Sequence, residues 1–228
     1  MSLEKNLREL RKVYGLSQEQ VAEAIGIKRT TLVVVEKGDR ELTSEELGKL
    51  ADYLGIDIVD LITQEIPDFD KYQEMIIETL KRYCKYSKKS ATKTMLAKLL
   101  YLADFAWYYY NLQPMSGMKY RRIHYGPVPD QFFRVVEEMI DAGKLNLDTT
   151  DSEGAHWITL TRAGKGSTIN KLTDKEKLLI DSVAKRWKDA NTNEIVTFTH
   201  NQLPYQVSRP NQYIPYELIT QEEPENVY

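Results

Sequence analysis

The side chains of this 228-residue chain that can attack a substrate, hold a metal or move a proton are few and scattered. Its three histidines are His124, His156 and His200, and none has a metal ligand at i+4, the spacing with which one helix face offers a pair to zinc. His124 beside Tyr125 has the chemistry of a general acid or base. Its place before Gly126-Pro127 marks it first as a turn residue. The single cysteine, Cys84, lies among Lys81, Arg82 and Lys85, a setting that lowers a thiol pKa. A lone cysteine on an amphipathic helix nevertheless serves most often as a small hydrophobe. It cannot form an internal disulfide, which fits a reducing, cytoplasmic compartment. No glycine-rich phosphate loop and no nucleophile elbow occur. The expectation is a binding protein without cofactor or metal, and not an enzyme. A hydrolase working through His124 or His200 is a weaker alternative.

Charge is the remaining chemistry. The chain has 31 Lys and Arg against 34 Asp and Glu, a net charge of −3. Taken as a total, that speaks against nucleic acid. The blocks differ from the total. Residues 1–40 carry eight bases and six acids, and residues 41–64 carry one base and six acids. Residues 81–98 carry seven bases and no acid, and the last twelve residues carry four glutamates and no base. Phosphate binding depends on the local face, so the first block stays open to DNA and the acidic blocks to a basic partner. No apolar run approaches the ~20 residues of a membrane span, and the charged N-terminus lacks the apolar core of a signal peptide. With 42% hydrophobic and 29% charged residues the composition is that of a globular protein of one or two domains.

Short helices must position the first basic block. Capping boxes formed by Ser17 with Gln20 and by Thr43 with Glu46 open two of them. The stripes Leu3-Leu7-Leu10, Val21-Ala24-Ile25, Leu32-Val35, Leu47-Leu50-Ala51-Leu54 and Ile58-Leu61-Ile62 predict five helices. Gly15, Gly26, Gly38 and Gly55 sit where left-handed C-caps are wanted. The turn Ala24-Ile25-Gly26-Ile27-Lys28 is so short that its helices must cross steeply. The later helix then protrudes, with its first side chains free to enter a major groove.

The stretch SQEQVAEAIGIKRTTLVVVEKGDRELTSEELGKLADYLGI resembles the Cro/C1-type (XRE-family) helix-turn-helix, over residues 3–62. The matching features are the Ser-Gln start, the Ala-x-x-Ile-Gly-Ile turn, the Glu-Lys-Gly exit and the Leu-x-x-Leu-Ala-x-x-Leu helix. The resemblance implies DNA contacts from Gln18, Lys28, Arg29, Thr30 and Thr31, with Val33 and Val34 on the same helix. Gln18 at a helix N-terminus suits a phosphate, and Lys28 and Arg29 suit phosphates or guanine edges. Val33 and Val34 depart from the polar or basic residues common there, since valine reaches a thymine methyl but makes no bidentate contact.

Pro67 breaks the helical pattern and places a linker at 65–70, dividing a domain at 1–64 from one at 71–228. Beyond it, Tyr72, Ile76, Ile77, Leu80 and Tyr83 predict a helix over 71–89. Leu96, Leu99, Leu100, Ala103, Trp107 and Tyr110 predict a second, ended by Pro114 and Gly117. Trp107-Tyr108-Tyr109-Tyr110 covers every face of that helix, so part of the run must be exposed. Pro127-Val128-Pro129 is expected to open a helix whose apolar face is Phe132, Phe133, Val136, Met139 and Ile140. Residues 144–149 and 155–160 alternate around Asp151–Gly154 as a β-hairpin. Thr173 with Glu176 caps a helix reaching about residue 189, and a shorter helix ends near His200. The tail, rich in Pro and Tyr, is expected to pack as an extended segment. Asp104, one turn beyond Tyr101, is expected to join a structural network, by hydrogen bonds or by pairing with Arg121 or Arg122.

The stretch KLLYLADFAWYYYNLQPMSGMKYRRIHYGPVP resembles the Panacea domain, also described as SocA-like or phage-associated GepA-like. The likeness rests on Lys98–Asp104, on Gly117 and Tyr120, and on His124-Tyr125-Gly126-Pro127-Val128-Pro129. Leu172-Thr173-x-x-Glu176 and Thr199-His200-x-x-x-Pro204-Tyr205 extend it, for a coverage of roughly 71–208. It implies an antitoxin domain that binds a cognate toxin protein. The fold expected is mainly α, with an N-terminal five-helix helix-turn-helix domain and a C-terminal α-helical domain bearing a small β-hairpin. The function implied is that of an antitoxin that neutralises its toxin by direct binding and represses its own operon. It would meet operator DNA as a homodimer in the cytoplasm, with no membrane partner. The alternative is a prophage-type transcriptional repressor whose second domain serves oligomerisation or protein sensing. Candidate toxin-binding residues are Trp107, Tyr108, Tyr109, Tyr120, Arg121, Arg122, His124 and Tyr125, because aromatic residues and arginine dominate protein interfaces.

Overall fold

A computed structural model of the chain describes residues 7–8, 10–12, 14–54, 58, 61, 67–148 and 156–228. The chain divides into two compact units, Met1–Ile66 and Pro67–Tyr228. The predictions at Leu3, Gly55, Ile62, linker residues 65–66 and the turn at 151–154 lie outside the described residues.

In the first unit residues 7–8 and 10–12 are helical, followed by α1 (Gln18–Ile25), α2 (Arg29–Lys37) and α3 (Ser44–Leu54), and by helical positions 58 and 61. Both predicted capping boxes close. The Ser17 amide donates to Gln20 Oε1 at 2.8 Å and the Gln20 amide to Ser17 Oγ at 3.2 Å. The Thr43 amide donates to Glu46 Oε2 at 2.9 Å and the Glu46 amide to Thr43 Oγ1 at 3.2 Å. Gly26 ends α1 at φ +78° and Gly38 ends α2 at φ +82°, left-handed conformations that cost a Cβ-bearing residue about 1 kcal/mol or more. The apolar stripes meet in one core: Leu7, Leu10, Val21, Ile25, Leu32, Val35, Leu50, Leu54 and Leu61 are all buried. Burial of such a side chain contributes about 1.5–3 kcal/mol.

The second unit is built on two long helices, α4 (Phe69–Ser87) and α5 (Lys93–Asn111). The first begins two residues before the predicted 71 because Asp68 Oδ1 caps it, accepting from the Lys71 amide at 2.9 Å. From Met95 to Ala106 every residue of α5 is buried, so this helix is the axis of the domain. The other helices are α6 (Phe132–Asp141), α7 (Arg162–Gly166), α8 (Asp174–Arg186), α9 (Thr192–Asn201) and α10 (Leu203–Val207). Strands β1 (Ala91–Thr92), β4 (Leu145–Asp148) and β5 (Trp157–Leu160) form an antiparallel sheet in the order β1-β5-β4, with Leu145 opposite Leu160 and Asp148 opposite Trp157. The last two are the predicted hairpin strands.

A second hairpin, β2 (Tyr120–Ile123) and β3 (Gly126–Pro129), stands where Pro127-Val128-Pro129 predicts the opening of a helix; the helix opens only at Phe132. The reason lies in the tail. The Arg122 amide donates to Gln212 O at 2.9 Å, the Asn211 amide to Arg122 O at 2.8 Å and the Ile214 amide to Tyr120 O at 2.8 Å. Tyr120 and Arg122 therefore turn their backbone groups toward the tail. Their partners across the hairpin are Pro129 and Pro127, where no amide donor is needed and proline is tolerated. The tail is expected to be extended, but Asn211 turns through φ +63°, Tyr213 makes only an isolated antiparallel bridge to Arg121, and 3-10 turns follow at Tyr216–Gln221 and Pro224–Asn226. Among the described residues no helix is long and apolar enough to cross a membrane.

Candidate functional site

Lys28 is the N-cap of α2 and makes no side-chain capping bond. It is exposed together with Arg29 and Thr30, while Thr31 and Val33 are half-buried and Val34 is 40% exposed. Helical spacing places Arg29, Thr30, Val33, Val34 and Lys37 on one outward face. Gln18 is oriented from below: its Nε2 donates to Glu36 Oε2 at 2.8 Å, and Arg29 Nη2 approaches Gln18 Oε1 at 3.5 Å. Glu36 also accepts from Arg11 Nε at 2.7 Å. Sequence reasoning missed Glu36 as the hub, since its partners lie 25 and 18 positions away. Arg8, Arg11, Gln18, Arg29, Val33 and Lys37 surround an open cleft of 750 Å³. The result is a cationic face with a hydrogen-bonding glutamine at its edge, suited to phosphate oxygens and base edges.

In the second unit the hairpin β2–β3 collects most of the candidate residues. His124 and Tyr125 form its two-residue turn, between Ile123 and Gly126. Both are exposed, with their rings edge to face at 5.2 Å. Tyr120 lies inside, and its hydroxyl donates to Asp104 Oδ2 at 3.2 Å, so it holds the hairpin down and offers no surface. Asp104 also accepts from the Met115 amide at 2.8 Å, from the Ser116 amide at 3.0 Å and from the Ser116 hydroxyl. Burial pushes its carboxyl above the usual range, and the Ser116 donors oppose that shift.

The expected pairing of Asp104 with Arg121 or Arg122 does not occur. Arg121 Nε donates to Asp130 Oδ1 at 2.8 Å and its guanidinium lies 4.3 Å over Tyr213. Arg122 donates to Gln206 O at 3.2 Å and to Ser208 O, and lies 4.7 Å over Tyr205. Both guanidiniums stay at the edge, Arg121 paired with the Asp130 carboxylate and Arg122 with backbone carbonyls. The fully buried carboxylate takes backbone and hydroxyl donors instead. Trp107, Tyr108 and Tyr109 are half-buried. Tyr108 stacks on Tyr216 at 5.4 Å, and Tyr216 meets Tyr120 at 6.1 Å, which links the end of α5 to the hairpin.

His124 and His200 lie close enough to interact electrostatically. His200 stacks on Tyr205 at 4.3 Å, and its buried Nε2 has no hydrogen-bond partner among the described residues. Burial lowers its pKa, with Lys98 and Arg122 adding to the effect. Among the described residues no cluster of His, Cys, Asp or Glu can hold a metal ion. Cys84 is not activated by its basic setting: burial pushes its thiol up, with only Lys165 acting against the shift.

Sequence reasoning also passed over Lys98 as a functional side chain. It is fully buried in α5, and its Nζ donates to Pro127 O at 3.1 Å. Gly126 takes φ +99°, and a Cβ there would stand 2.6 Å from Lys98 Nζ and 2.8 Å from His200 Nε2, so both side-chain ends would have to move. The available signal was a cation inside the apolar run Leu96-Ala97-Lys98-Leu99-Leu100.

Two family profiles match the chain. The one described as "Helix-turn-helix" covers residues 7–61, and the one described as "Antitoxin SocA-like, Panacea domain" covers residues 96–205. The chain is similar to the cryptic phage CTXphi transcriptional repressor RstR of Vibrio cholerae, with 30% identity over 94 residues, 41% of this chain and 85% of the repressor. It is also similar to the control protein C.SmaI of Serratia marcescens, with 38% identity over 63 residues, 28% of this chain and 75% of that protein. An uncharacterized HTH-type transcriptional regulator of Methanocaldococcus jannaschii is 29% identical over 63 residues, 28% of this chain and 96% of its own length. No solved structure matches.

Proposed function

We infer, from a chain that belongs to the helix-turn-helix family and carries an antitoxin SocA-like Panacea domain, that it neutralises a cognate toxin protein by binding it and represses its own operon. The observation that carries this reading is the union of the two units in one chain. One exposes the cationic start of α2, and the other presents a hairpin with His124 and Tyr125 outward. Operator contacts come from Gln18, Lys28, Arg29, Thr30 and Thr31, with Val33 and Val34 packing against thymine methyls. One recognition helix offers few base contacts, so the protein acts as a homodimer on half-sites about one DNA turn, ~34 Å, apart. The toxin is held by the exposed parts of Trp107, Tyr108, Tyr109, Arg121, Arg122, His124 and Tyr125, with Tyr120 anchoring the hairpin. Both binding events take place in the cytoplasm and require no cofactor.

The test is co-expression with the product of the adjacent gene. The expected outcome is relief of that product's growth inhibition and co-purification of the two proteins. Operator binding without rescue or co-purification favours the second reading, a prophage-type repressor whose C-terminal unit oligomerises or senses another protein. The similarity to RstR supports that reading for the first unit.

A further inference from the structure

A cleft of 740 Å³ opens in the second unit between the start of α5, the hairpin β2–β3, α6 and the start of α9. Val128, Phe132, Phe133 and Trp157 give it an apolar side, Thr94 and Asn193 a polar one, and the fully buried Lys98 also borders it. Tyr125, 71% exposed, and Phe133, 46% exposed, stand on its rim. Lys93 brings a second cation there, with its Nζ 4.8 Å over the Phe133 ring.

The cleft is electrostatically incomplete at this lysine. An ammonium carries three donors, and the one hydrogen bond of Lys98 among the described residues goes to Pro127 O. Among the described residues no carboxylate pairs with it. A buried charge without a partner is strongly disfavoured. The neighbouring His200 Nε2 is also buried and without a hydrogen-bond partner among these residues. Both nitrogens lie under Gly126 of the hairpin, within 3 Å of where a Cβ there would stand.

We propose that this cleft receives a carboxylate-bearing segment of the toxin, with the acid directed at Lys98 and an adjoining aromatic or aliphatic side chain covered by Phe133 and Tyr125. This deepens the antitoxin reading and rests on it. The charge complementarity selects an acidic group, and the apolar side formed by Val128, Phe132, Phe133 and Trp157 selects one carried on a hydrophobic chain. The exposed rim aromatics select a protein, since such surface is covered by macromolecular partners more often than by small anions.

The experiment uses the full chain and the co-expressed product of the adjacent gene. A wild-type chain that fails to bind that product overturns the antitoxin reading itself. Given wild-type binding, Phe133→Glu and Lys98→Met are each expected to weaken the complex about tenfold or more. Phe133 is a rim residue, so its replacement tests the cleft even if Lys98→Met unfolds; thermal unfolding of each variant checks this. Carbodiimide cross-linking of the wild-type complex is expected to join Lys93, which is partly exposed, to an acid of the toxin. Affinities within about twofold of wild type for Phe133→Glu, and for Lys98→Met if folded, overturn the proposal alone. A cross-link from Lys93 to a second copy of this chain, in place of the toxin, does the same.

Discussion

Lys98 and Asp104 are buried on the same helix and meet opposite fates. They lie six residues apart, about 120° around the helix axis, so they cannot neutralise each other. Asp104 is surrounded by four donors. Lys98 has one acceptor, and burial pushes its ammonium from 10.5 down to about 7. The unfolded chain keeps that proton to about 10.5 and the folded chain only to about 7, so between these values the unfolded state binds more protons. Stability from this group therefore grows as pH rises through that window and is lost as pH falls back to about 7. The thermal midpoint of the wild type is expected to rise from pH 7 to pH 9 relative to that of Lys98→Met. Parallel melts across this range check it, and equal slopes for the two proteins would contradict it.

The hairpin β2–β3 shows what elements contribute beyond residues. Gly126 combines φ +99° with a position where a Cβ would stand 2.6 Å from Lys98 Nζ. Gly126→Ala is expected to destabilise the second unit by about 1–3 kcal/mol, from backbone strain alone. Urea unfolding measures it, and a midpoint unchanged from wild type would show that the hairpin relaxes freely. This element was also the least legible in the sequence. Ser17, Thr43 and Thr173 announced their helices because an N-cap and its N3 partner are local. The core stripes were legible because helical period is local too. Asn191 with Glu194 forms a further capping box of the same logic that went unread. Pro127 and Pro129 misled because their tolerance is decided by residues 211–214, whose backbone engages the far edge of β2. The same distance hid Glu36 as the anchor of Gln18. It also hid the solitude of Lys98, which depends on what the fold fails to bring near it.

For the whole molecule, a net charge of −3 weakens non-specific attraction to DNA without removing it from the face of α2. Lys28→Ala with Arg29→Ala is expected to lower operator affinity and to flatten the dependence of log K on log salt by about 0.9 for each phosphate no longer neutralised. Fluorescence anisotropy over a salt series reads both, and an unchanged slope and affinity would remove these residues from the interface. The tail sets a different constraint. Val227 is fully buried, Gln202 Nε2 donates to Asn226 O at 2.7 Å, and residues 211–214 complete the edge of β2. The second unit therefore cannot close until residues up to Val227 have been synthesised, whereas the described core residues of the first all lie at or before Leu61. At ribosomal rates of about 5–20 residues per second the gap is about 10–30 s. For that interval each nascent chain carries a finished helix-turn-helix beside an unfinished second unit, so order of synthesis ranks the two units in time.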